Sequence, residues 1–478
     1  MKVFILNPPF VKDFVRSARW AAKSRGRVQR HPDALLTLAA YLKKMGHVIE
    51  FLDGPVQDSD KNSILNRIKT FCPELMVFHT TTPSIYNDLE YAHLVKQTLP
   101  ECITVALGAH VSALPGETLS LVERDYDSSV DAIAVGEYDF SIAELAGSPS
   151  KIDEIAGLAT SRNTNRNFHP RRPGNINELP FPAWEFIKPE DYPDAGKRFP
   201  FLTLINARGC IGNCTFCRDR ESNTQNVLRH RDTELVVAEI EHDLKLFPQI
   251  QEIMFETDNF PANANYTEEL CQRIIKSGIN KRITWSCNSR VDIDLDSLKI
   301  MKEAGCRMLM VGFEFGTQQA LDAVQKGTTL TQAKKFAETA YGLGFTIHGC
   351  FMIGAPGETE ESAQMTIDFA MSLPCDTVQF SGLCPYPGTT LYEWAKSNNF
   401  LVPKDWKEWV DSNYEQCTLL NYPQLPKEKM DHLIDKGLKQ FYLRPGQIWQ
   451  MLLKIRSFSD IKRKLYGFKS FLNYFSKR

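Results

Sequence analysis

The sequence is poor in features that would mark a secreted, membrane-spanning or nucleic-acid-binding protein. Its 12 cysteines among 478 residues are too few to predict a disulfide framework. It has no run of about 18 uncharged apolar residues, and its first residues lack the basic and apolar regions of a secretory leader. The formal net charge is −2, so the composition predicts no nucleic-acid partner. We therefore expect a cytoplasmic protein in a reducing environment.

The N-terminal region lacks a dinucleotide fingerprint but has the pattern of an α/β fold. In residues 1–147, short apolar strands such as Lys2–Leu6 alternate with helices such as Pro32–Lys44. This alternation predicts a doubly wound parallel sheet, which binds ligands beyond the carboxyl ends of its strands. No G-x-G-x-x-G follows the first strand, which argues against a dinucleotide. Small and turn residues gather at the predicted edge instead, among them Gly108, His110, Gly136 and Glu137.

Three further regions follow this domain. Residues 148–198 lack periodicity and are predicted to be a linker. Residues 199–400 alternate strands and helices about six times, which predicts a partial (β/α)6 barrel with functional groups at the carboxyl ends of its strands. Residues 401–478 are predicted to be helical, and 447–478 are basic with interleaved aromatic residues. This stretch predicts either peripheral contact with an anionic membrane surface or a docked helix with a solvated basic face.

The most specific chemical pattern is a cysteine triplet without a fourth cysteine nearby. Cys210, Cys214 and Cys217 have the spacing C-x3-C-x2-C, and the next cysteine is Cys271. Structural zinc sites and electron-transfer iron–sulfur sites normally need four protein ligands. Three thiolates on one polar, glycine-containing loop instead favour a catalytic cluster with one iron open to another ligand. The alternative interpretation is three buried thiols without a metal.

The triplet, with Phe216 in the aromatic position before Cys217, resembles the signature of the radical S-adenosylmethionine (SAM) superfamily. The resemblance implies that the three cysteines hold a [4Fe–4S] cluster whose fourth iron binds SAM. It also implies reductive cleavage of SAM to a 5′-deoxyadenosyl radical. A flavodoxin or ferredoxin is the kind of electron donor that this chemistry would use.

Other elements follow in the order that the family has. Glu314 lies in a stretch similar to the family's G-x-E-S-G element, whose acid contacts SAM, and the loop with Gly354 and Pro356 is similar to one used near the adenine. Asp258 follows a predicted strand and is expected either to accept a hydrogen bond from SAM or substrate or to form an Asx turn. Arg290 ends the next strand and is expected either to bind a carboxylate or to form a structural ion pair.

Residues 1–147 resemble the cobalamin-binding domain that precedes many radical SAM barrels. The similarity lies in the turns Gly108-Ala109-His110 and Gly136-Glu137. The D-x-H-x-x-G motif, whose histidine ligates cobalt in other cobalamin proteins, is absent. The resemblance therefore implies either cobalamin bound without a histidine ligand or a domain that has lost the cofactor. For His110, a hydrogen-bonded loop histidine is favoured over a cofactor contact.

The leading functional hypothesis is a radical SAM enzyme that drives C-methylation, C–C bond formation or rearrangement on a lipid or isoprenoid-type substrate. The alternative within the enzyme class is cobalamin-dependent methylation of a peptide or antibiotic precursor. A non-catalytic iron–sulfur electron-transfer protein is a different class, which the missing fourth thiolate disfavours. A methylthiotransferase would need a second set of cysteines, and the N-terminal region has only Cys72 and Cys102.

Overall fold

The computed structural model describes residues 1–16, 20–24, 26, 28–57, 60–164, 168–218, 227–453, 465 and 467. Within these residues the chain forms two compact units. Unit 1 contains Met1–Tyr192 and the later segment Pro403–Glu415. Unit 2 contains the described parts of Pro193–Arg220, Asn226–Val402 and Gln416–Arg478. Most of the basic stretch predicted for the C-terminus lies outside the described residues.

Unit 1 is built on a six-stranded sheet with the strand order β4-β1-β5-β6-β7-β8. The strands are β1 (Lys2–Asn7), β4 (Val48–Asp53), β5 (Leu75–Thr80), β6 (Ile103–Gly108), β7 (Ala132–Ala134) and β8 (Leu158–Ala159). All neighbouring pairs are parallel except β7 and β8. The central strand β1 is an apolar run buried on both faces, as expected for a parallel sheet covered on both sides. The doubly wound fold predicted from the sequence is confirmed.

Helices and a hairpin complete unit 1. The helices are α1 (Asp33–Lys44), α2 (Lys61–Phe71), α3 (Ile85–Thr98), α4 (Ala109–Ala113), α5 (Pro115–Asp125) and α6 (Asp139–Gly147). The hairpin pairs β2 (Phe14–Arg16) with β3 (Ala21–Lys23). The sequence analysis did not predict the hairpin, α4 or α5. These elements are short or begin at a proline, so they lack the long periodic pattern that predicts a helix or strand.

Unit 2 contains a second six-stranded sheet, and all of its neighbouring pairs are parallel. The strand order is β16-β15-β14-β13-β12-β9. The strands are β9 (Phe201–Leu204), β12 (Glu252–Phe255), β13 (Thr284–Ser289), β14 (Cys306–Glu314), β15 (Thr346–Ile353) and β16 (Thr377–Gly382). Because β9 and β16 are both edges, the sheet is an open, partial barrel, as predicted. A small antiparallel pair, β10 (Ala207–Arg208) and β11 (Arg229–His230), follows β9.

The helices of unit 2 alternate with these strands and then continue beyond the last one. They are α7 (Thr233–Leu246), α8 (Ala264–Ser277), α9 (Ser297–Glu303), α10 (Gln318–Ala323), α11 (Leu330–Gly342), α12 (Glu360–Ser372), α13 (Thr390–Ser397), α14 (Lys427–Tyr442) and α15 (Pro445–Leu453). The side chains of Thr329 and Thr359 cap α11 and α12 in capping boxes, which satisfy amide groups at the helix starts. Among the described residues, no helix is long and apolar enough to cross a membrane.

Candidate functional site

The three cysteines lie on a loop that follows β9 and β10, at the carboxyl end of the barrel sheet. Cys214 is buried, whereas Cys210 and Cys217 are partly accessible. The amide of Cys217 donates a hydrogen bond to the carbonyl of Cys214 at 3.2 Å. The amide of Thr215 donates to the carbonyl of Val324, and the Thr215 carbonyl accepts from the amide of Leu391. The middle of the loop is therefore fixed by backbone contacts on two sides.

Within the described ranges, no group of three or more His, Cys, Asp or Glu side chains could hold one metal ion. A structural ion requires ligands that converge on one point. The thiolates of a cluster instead bind separate irons, so they do not have to converge in this way.

Arg290 is a cation that contacts the cysteine loop. Its Nη1 donates to Cys214 Sγ at 3.6 Å, and its Nη2 donates to the carbonyl of Lys326 at 2.6 Å. Its guanidinium also pairs with both carboxylate oxygens of Asp292. Burial lowers the pKa of Arg290, but Asp292 and the Cys214 thiolate raise it more. Arg290 thus forms an ion pair with Asp292 and also contacts the Cys214 thiol, and its binding of a ligand carboxylate stays a prediction.

Glu314 forms a buried ion pair with Lys326 directly above Gly312. Lys326 Nζ donates to Glu314 Oε1 at 2.7 Å, and both residues are less than one-tenth exposed. A Cβ atom on Gly312 would lie 2.4 Å from Glu314 Oε1, so only glycine leaves room for the carboxylate. Glu314 itself has a φ of +66°, an uncommon conformation for a residue with a side chain. Burial lowers the pKa of Lys326, but Glu314 and the Cys214 thiolate raise it more.

Lys326 was missed by the sequence analysis. It follows the short helix α10, in a stretch that has no strand pattern and no charge run. The one available signal was a lysine before a glycine and two threonines in Gln325-Lys326-Gly327-Thr328-Thr329. That signal does not predict burial, because lysine is almost never buried unless it is paired.

Phe216 lies within the cysteine loop and Asp258 lies in a turn after β12, and both side chains are half-buried. Burial raises the pKa of the Cys210 thiol, and the charge of Asp258 acts in the same direction. Their expected contacts with SAM remain predictions.

The loop with Gly354 and Pro356 is closed by a buried carboxylate. Glu358 Oε2 accepts hydrogen bonds from the amides of Gly354 at 2.5 Å and Ala355 at 3.1 Å. Burial raises the pKa of Glu358 to about 7, although these two amides act in the opposite direction. The hydroxyl of Tyr422 donates to the Gly354 carbonyl at 2.8 Å. The loop is therefore rigid, which suits a backbone surface for a ligand, and its role near an adenine stays a prediction.

In unit 1, the structure places His110 in a closed environment. Its Nδ1 lies 3.2 Å from Thr82 Oγ1, and its ring packs edge-on against Trp406, with ring centres 4.8 Å apart. His110 is 3% exposed. His110 lies in α4 rather than in a loop, but its contacts fit the hydrogen-bonded structural role that the sequence analysis favoured over a cofactor contact. Trp406 belongs to the segment Pro403–Glu415, which comes after the barrel in the sequence.

The glycine turns of unit 1 lie at the carboxyl ends of β6 and β7. Gly108 has a φ of +119°, and a Cβ atom there would lie 2.3 Å from the Thr80 carbonyl oxygen. The amide of Gly136 donates to Ser112 Oγ at 3.1 Å, and the next residue, Glu137, is half-buried. These contacts give the two turns a defined shape. Their contact with a cofactor remains a prediction.

Buried charged residues form hydrogen bonds at the carboxyl ends of the unit 1 strands. Arg16 forms a bidentate pair with Asp88, and both side chains are about 1% exposed or less. Asp53, at the end of β4, accepts hydrogen bonds from Asn7 and Tyr192. Burial raises the pKa of Asp53 to about 6 despite these two donors. The sequence analysis did not identify this network.

Comparison with known proteins links the barrel to one family. Residues 205–370 match the Radical SAM superfamily. An uncharacterized methyltransferase of Pyrococcus horikoshii is 30% identical over 445 residues, which cover 90% of this chain and 92% of that protein. Cytidylyl-2-hydroxyethylphosphonate methyltransferase of Streptomyces wedmorensis is 25% identical, covering 84% of this chain and 83% of that protein.

Solved structures share the fold of the whole chain. The radical SAM methyltransferase TsrM of Kitasatospora setae, solved with cobalamin and a [4Fe–4S] cluster, has a TM-score of 0.71 at 16% identity. That match covers 98% of this chain and 99% of TsrM. The cobalamin-dependent enzyme OxsB, solved with aqua-cobalamin and SAM, has a TM-score of 0.73 at 16% identity, covering 98% of this chain and 72% of OxsB.

Proposed function

Because the chain belongs to the radical SAM superfamily and is an enzyme of its subclass with a cobalamin-binding-type domain, we propose that it is a cobalamin-dependent methyltransferase acting on a small molecule. A [4Fe–4S] cluster and SAM are the cofactors of this superfamily. The observation that carries the proposal is the loop of three cysteines at the carboxyl end of a parallel barrel, in a chain that also contains a doubly wound domain. The two curated relatives named above are methyltransferases by name, which favours methylation over rearrangement or C–C coupling.

The residues of unit 2 fit the cluster. The loop offers three thiols and no fourth, and Arg290 places a positive charge on Cys214 Sγ. Cysteine binds iron as a thiolate, and a guanidinium within reach of the sulfur complements the negative charge of such a ligand. We assign Cys210, Cys214 and Cys217 as the cluster ligands. Phe216 and Asp258 are assigned to the surroundings of the bound SAM.

Glu314 and Lys326 are proposed to act together on SAM. Glu314 orients its carboxylate over Gly312, and Lys326 compensates the charge that this position would otherwise bury alone. One carboxylate oxygen remains to accept hydrogen bonds from ribose hydroxyls or an amino group. The rigid loop of Gly354 and Pro356 is proposed to contact the adenine.

The residues of unit 1 fit a cobalamin that is held without a histidine ligand. The ring of His110 is already in contact with Thr82 and Trp406, so His110 does not fit the role of a cobalt ligand. Gly108, Gly136 and Glu137 are proposed to shape the surface that the corrin contacts. When bound, the cluster and SAM supply one-electron cleavage chemistry, and cobalamin supplies a carrier for the methyl group.

The substrate is proposed to be a small molecule rather than a lipid. The lipid or isoprenoid substrate expected from the sequence has no counterpart among the relatives named above. Peripheral membrane contact through 447–478 rests on residues that mostly lie outside the described part of the chain, so it remains a hypothesis. A flavodoxin or ferredoxin remains the proposed electron donor.

The experiment is a single-turnover assay on anaerobically reconstituted protein that was produced with ample cobalamin. Iron, sulfide and cobalt are measured first, and the sample is then incubated with SAM labelled in its methyl group and a chemical reductant. We expect a full cluster, bound cobalamin that acquires the label, and 5′-deoxyadenosine. Protein that carries the cluster and cleaves SAM but retains no cobalamin would contradict methyl transfer through cobalamin.

A further inference from the structure

On β15 and β16, the inner wall of the barrel is lined by side chains that are partly accessible. On β15, residues that point inward alternate with buried residues, and the inward ones are partly accessible. The same alternation continues on β16, where Gln379 is exposed. The strands are in register, so His348 lies beside Thr377 and Cys350 lies beside Gln379. A hydrogen-bonding contact of 2.8 Å between His348 Nδ1 and Thr377 Oγ1 confirms that these side chains share one face.

This face, which we call the polar wall, carries hydroxyl, amide, imidazole and sulfur groups. It consists of Met310, His348, Cys350, Met352, Thr377, Gln379 and Ser381. Isoleucine, valine and phenylalanine side chains on the same strands point the other way and are buried, for example Ile347, Phe351 and Phe380. The three strands thus place their hydrogen-bonding groups inward and their most apolar groups outward. The polar wall itself contains no Asp, Glu, Lys or Arg.

Charged side chains lie next to the polar wall at two places, and each of them contacts other residues of unit 2. At the carboxyl end of β14, Glu314 and Lys326 pair with each other over Gly312. Deeper in the barrel, Lys197 is 1% exposed, and its Nζ lies 3.3 Å from Met310 Sδ and 3.2 Å from Ser286 Oγ. The polar wall therefore carries no formal charge of its own and lies between two buried cations.

We propose that the polar wall is the substrate-binding surface and that it takes a neutral, hydrogen-bonding small molecule rather than an acyl or isoprenoid chain. An apolar chain placed here would cover the Gln379 amide and the Ser381 hydroxyl without replacing their hydrogen bonds to water. Burying such groups without a hydrogen-bonding partner is unfavourable. Methionine thioethers adapt to irregular shapes and make favourable contacts with rings, so Met310 and Met352 suit a cyclic substrate.

The inference rests on the proposed function, because it places the substrate in the barrel that holds the cysteine loop. Its position is consistent with that chemistry. Gly312 is the register neighbour of Cys350, and the Glu314 carboxylate lies over Gly312. A molecule on the polar wall would therefore lie next to the group proposed to contact SAM.

The test is equilibrium dialysis of the full chain, anaerobically reconstituted with cluster, cobalamin and SAM. One probe panel contains neutral cyclic amides, ureas and heteroaromatic carboxamides, and the other contains isoprenoid alcohols and fatty amides of matched size. We expect retention of members of the first panel only. Gln379→Leu and His348→Leu should each weaken that retention about tenfold, which corresponds to about 1.4 kcal/mol. Gln272→Leu, on the outward helix α8, is the matched control and should retain the same compounds as the wild type.

Each outcome bears on one claim. Retention of the isoprenoid and fatty panel, retention of neither panel, or binding that is equal in Gln379→Leu and the wild type would each overturn the inference. Cluster content and 5′-deoxyadenosine formation are measured on the same wild-type samples. Failure of these two measurements contradicts the proposed function, whereas normal values with the wrong binding pattern contradict only the polar wall.

Discussion

Two glycines determine where charged side chains can lie near the cysteine loop. A Cβ atom on Gly212 would approach Arg290 Nη1 to 3.1 Å and Cys210 Sγ to 3.3 Å. A Cβ atom on Gly312 would lie 2.4 Å from Glu314 Oε1 and 3.1 Å from Lys326 Nζ. The absence of a side chain at each position therefore lets a charged group approach the backbone.

Gly312→Ala should weaken SAM binding by displacing the Glu314 carboxylate. The added methyl group leaves no room for Oε1 at its present position, so the carboxylate has to move. We expect a rise in the Kd for SAM of about tenfold, measured by equilibrium dialysis under anaerobic conditions. Gly342→Ala is the control, because a Cβ atom there meets nothing within 4 Å. Unchanged SAM affinity in Gly312→Ala would argue against a role of Glu314 in SAM binding.

Cys214→Ala should abolish the cluster without unfolding the chain. The thiol is one of three proposed ligands, and its removal leaves two, which is too few to hold a [4Fe–4S] cluster. Iron and sulfide assays together with visible absorbance measure the result. The control is Cys102→Ala, a buried thiol in unit 1. A Cys214→Ala protein with a full iron content would show that the cluster assignment is wrong.

Glu358 should make the stability of the protein depend on pH between about 4.5 and 7. Burial raises its pKa from 4.5 to about 7, so the folded state binds this proton more tightly than the unfolded chain. The stabilisation is fully present below pH 4.5 and is lost as the pH rises through 7. At about 1.4 kcal/mol per pKa unit, the effect amounts to about 3 kcal/mol.

Glu358→Gln removes this titration, and the amide oxygen can still accept from the Gly354 and Ala355 amides. Denaturant unfolding at pH 5 and pH 8 measures the difference. We expect the wild type to lose more stability than Glu358→Gln over this interval. Identical changes in the two proteins would place the titration elsewhere, for example at Asp53, whose pKa is also raised.

At the residue scale, the sequence predicted those functional residues that belong to a recognisable local pattern. The cysteine triplet was selected by its spacing, Glu314 by its similarity to a family element and Arg290 by its position after a predicted strand. The structure places all of them at the carboxyl end of the barrel. Lys326 and Lys197 could not be selected in the same way. Their burial depends on contacts with residues distant in the sequence, and nothing in the local pattern indicates it.

At the scale of elements, the segment Pro403–Glu415 forms a cover on unit 1. Trp406 packs against His110 and against Trp409, and the amide of Lys23 donates to the Tyr414 carbonyl at 2.7 Å. The segment thus contacts both α4, through His110, and the hairpin of β2 and β3, through Lys23. Sequence patterns predicted the long strands and helices well, because apolar periodicity sets them. They did not predict this cover, since thirteen irregular residues have no period.

Trp409→Ala should destabilise unit 1. The indole is 6% exposed, and removing a buried tryptophan side chain typically costs about 3–5 kcal/mol. Denaturant unfolding followed by circular dichroism measures the loss, with Trp449→Ala as the control because that indole is 63% exposed. Equal stabilities of the two variants would mean that the cover contributes nothing to the fold of unit 1.

At the scale of the whole molecule, the barrel should survive removal of its cluster. The strands of unit 2 carry their own buried apolar residues, and the cysteine loop lies beyond the strand ends. We expect treatment with a chelator and oxidant to abolish iron content and SAM cleavage while the far-ultraviolet circular dichroism spectrum stays the same. Loss of the helical signal along with the iron would instead identify the cluster as a folding element.

The return of Pro403–Glu415 to unit 1 has a consequence for biosynthesis. A ribosome releases Met1–Tyr192 long before it translates Trp406 and Trp409, since the entire barrel lies between them in the sequence. Until then the surface around His110 has no cover, and a nascent chain in that condition exposes apolar groups to neighbouring chains. Unit 1 can therefore reach its final form only after the barrel strands of unit 2 have been made. A fragment that ends at Tyr192 would reproduce the vulnerable intermediate rather than a finished domain.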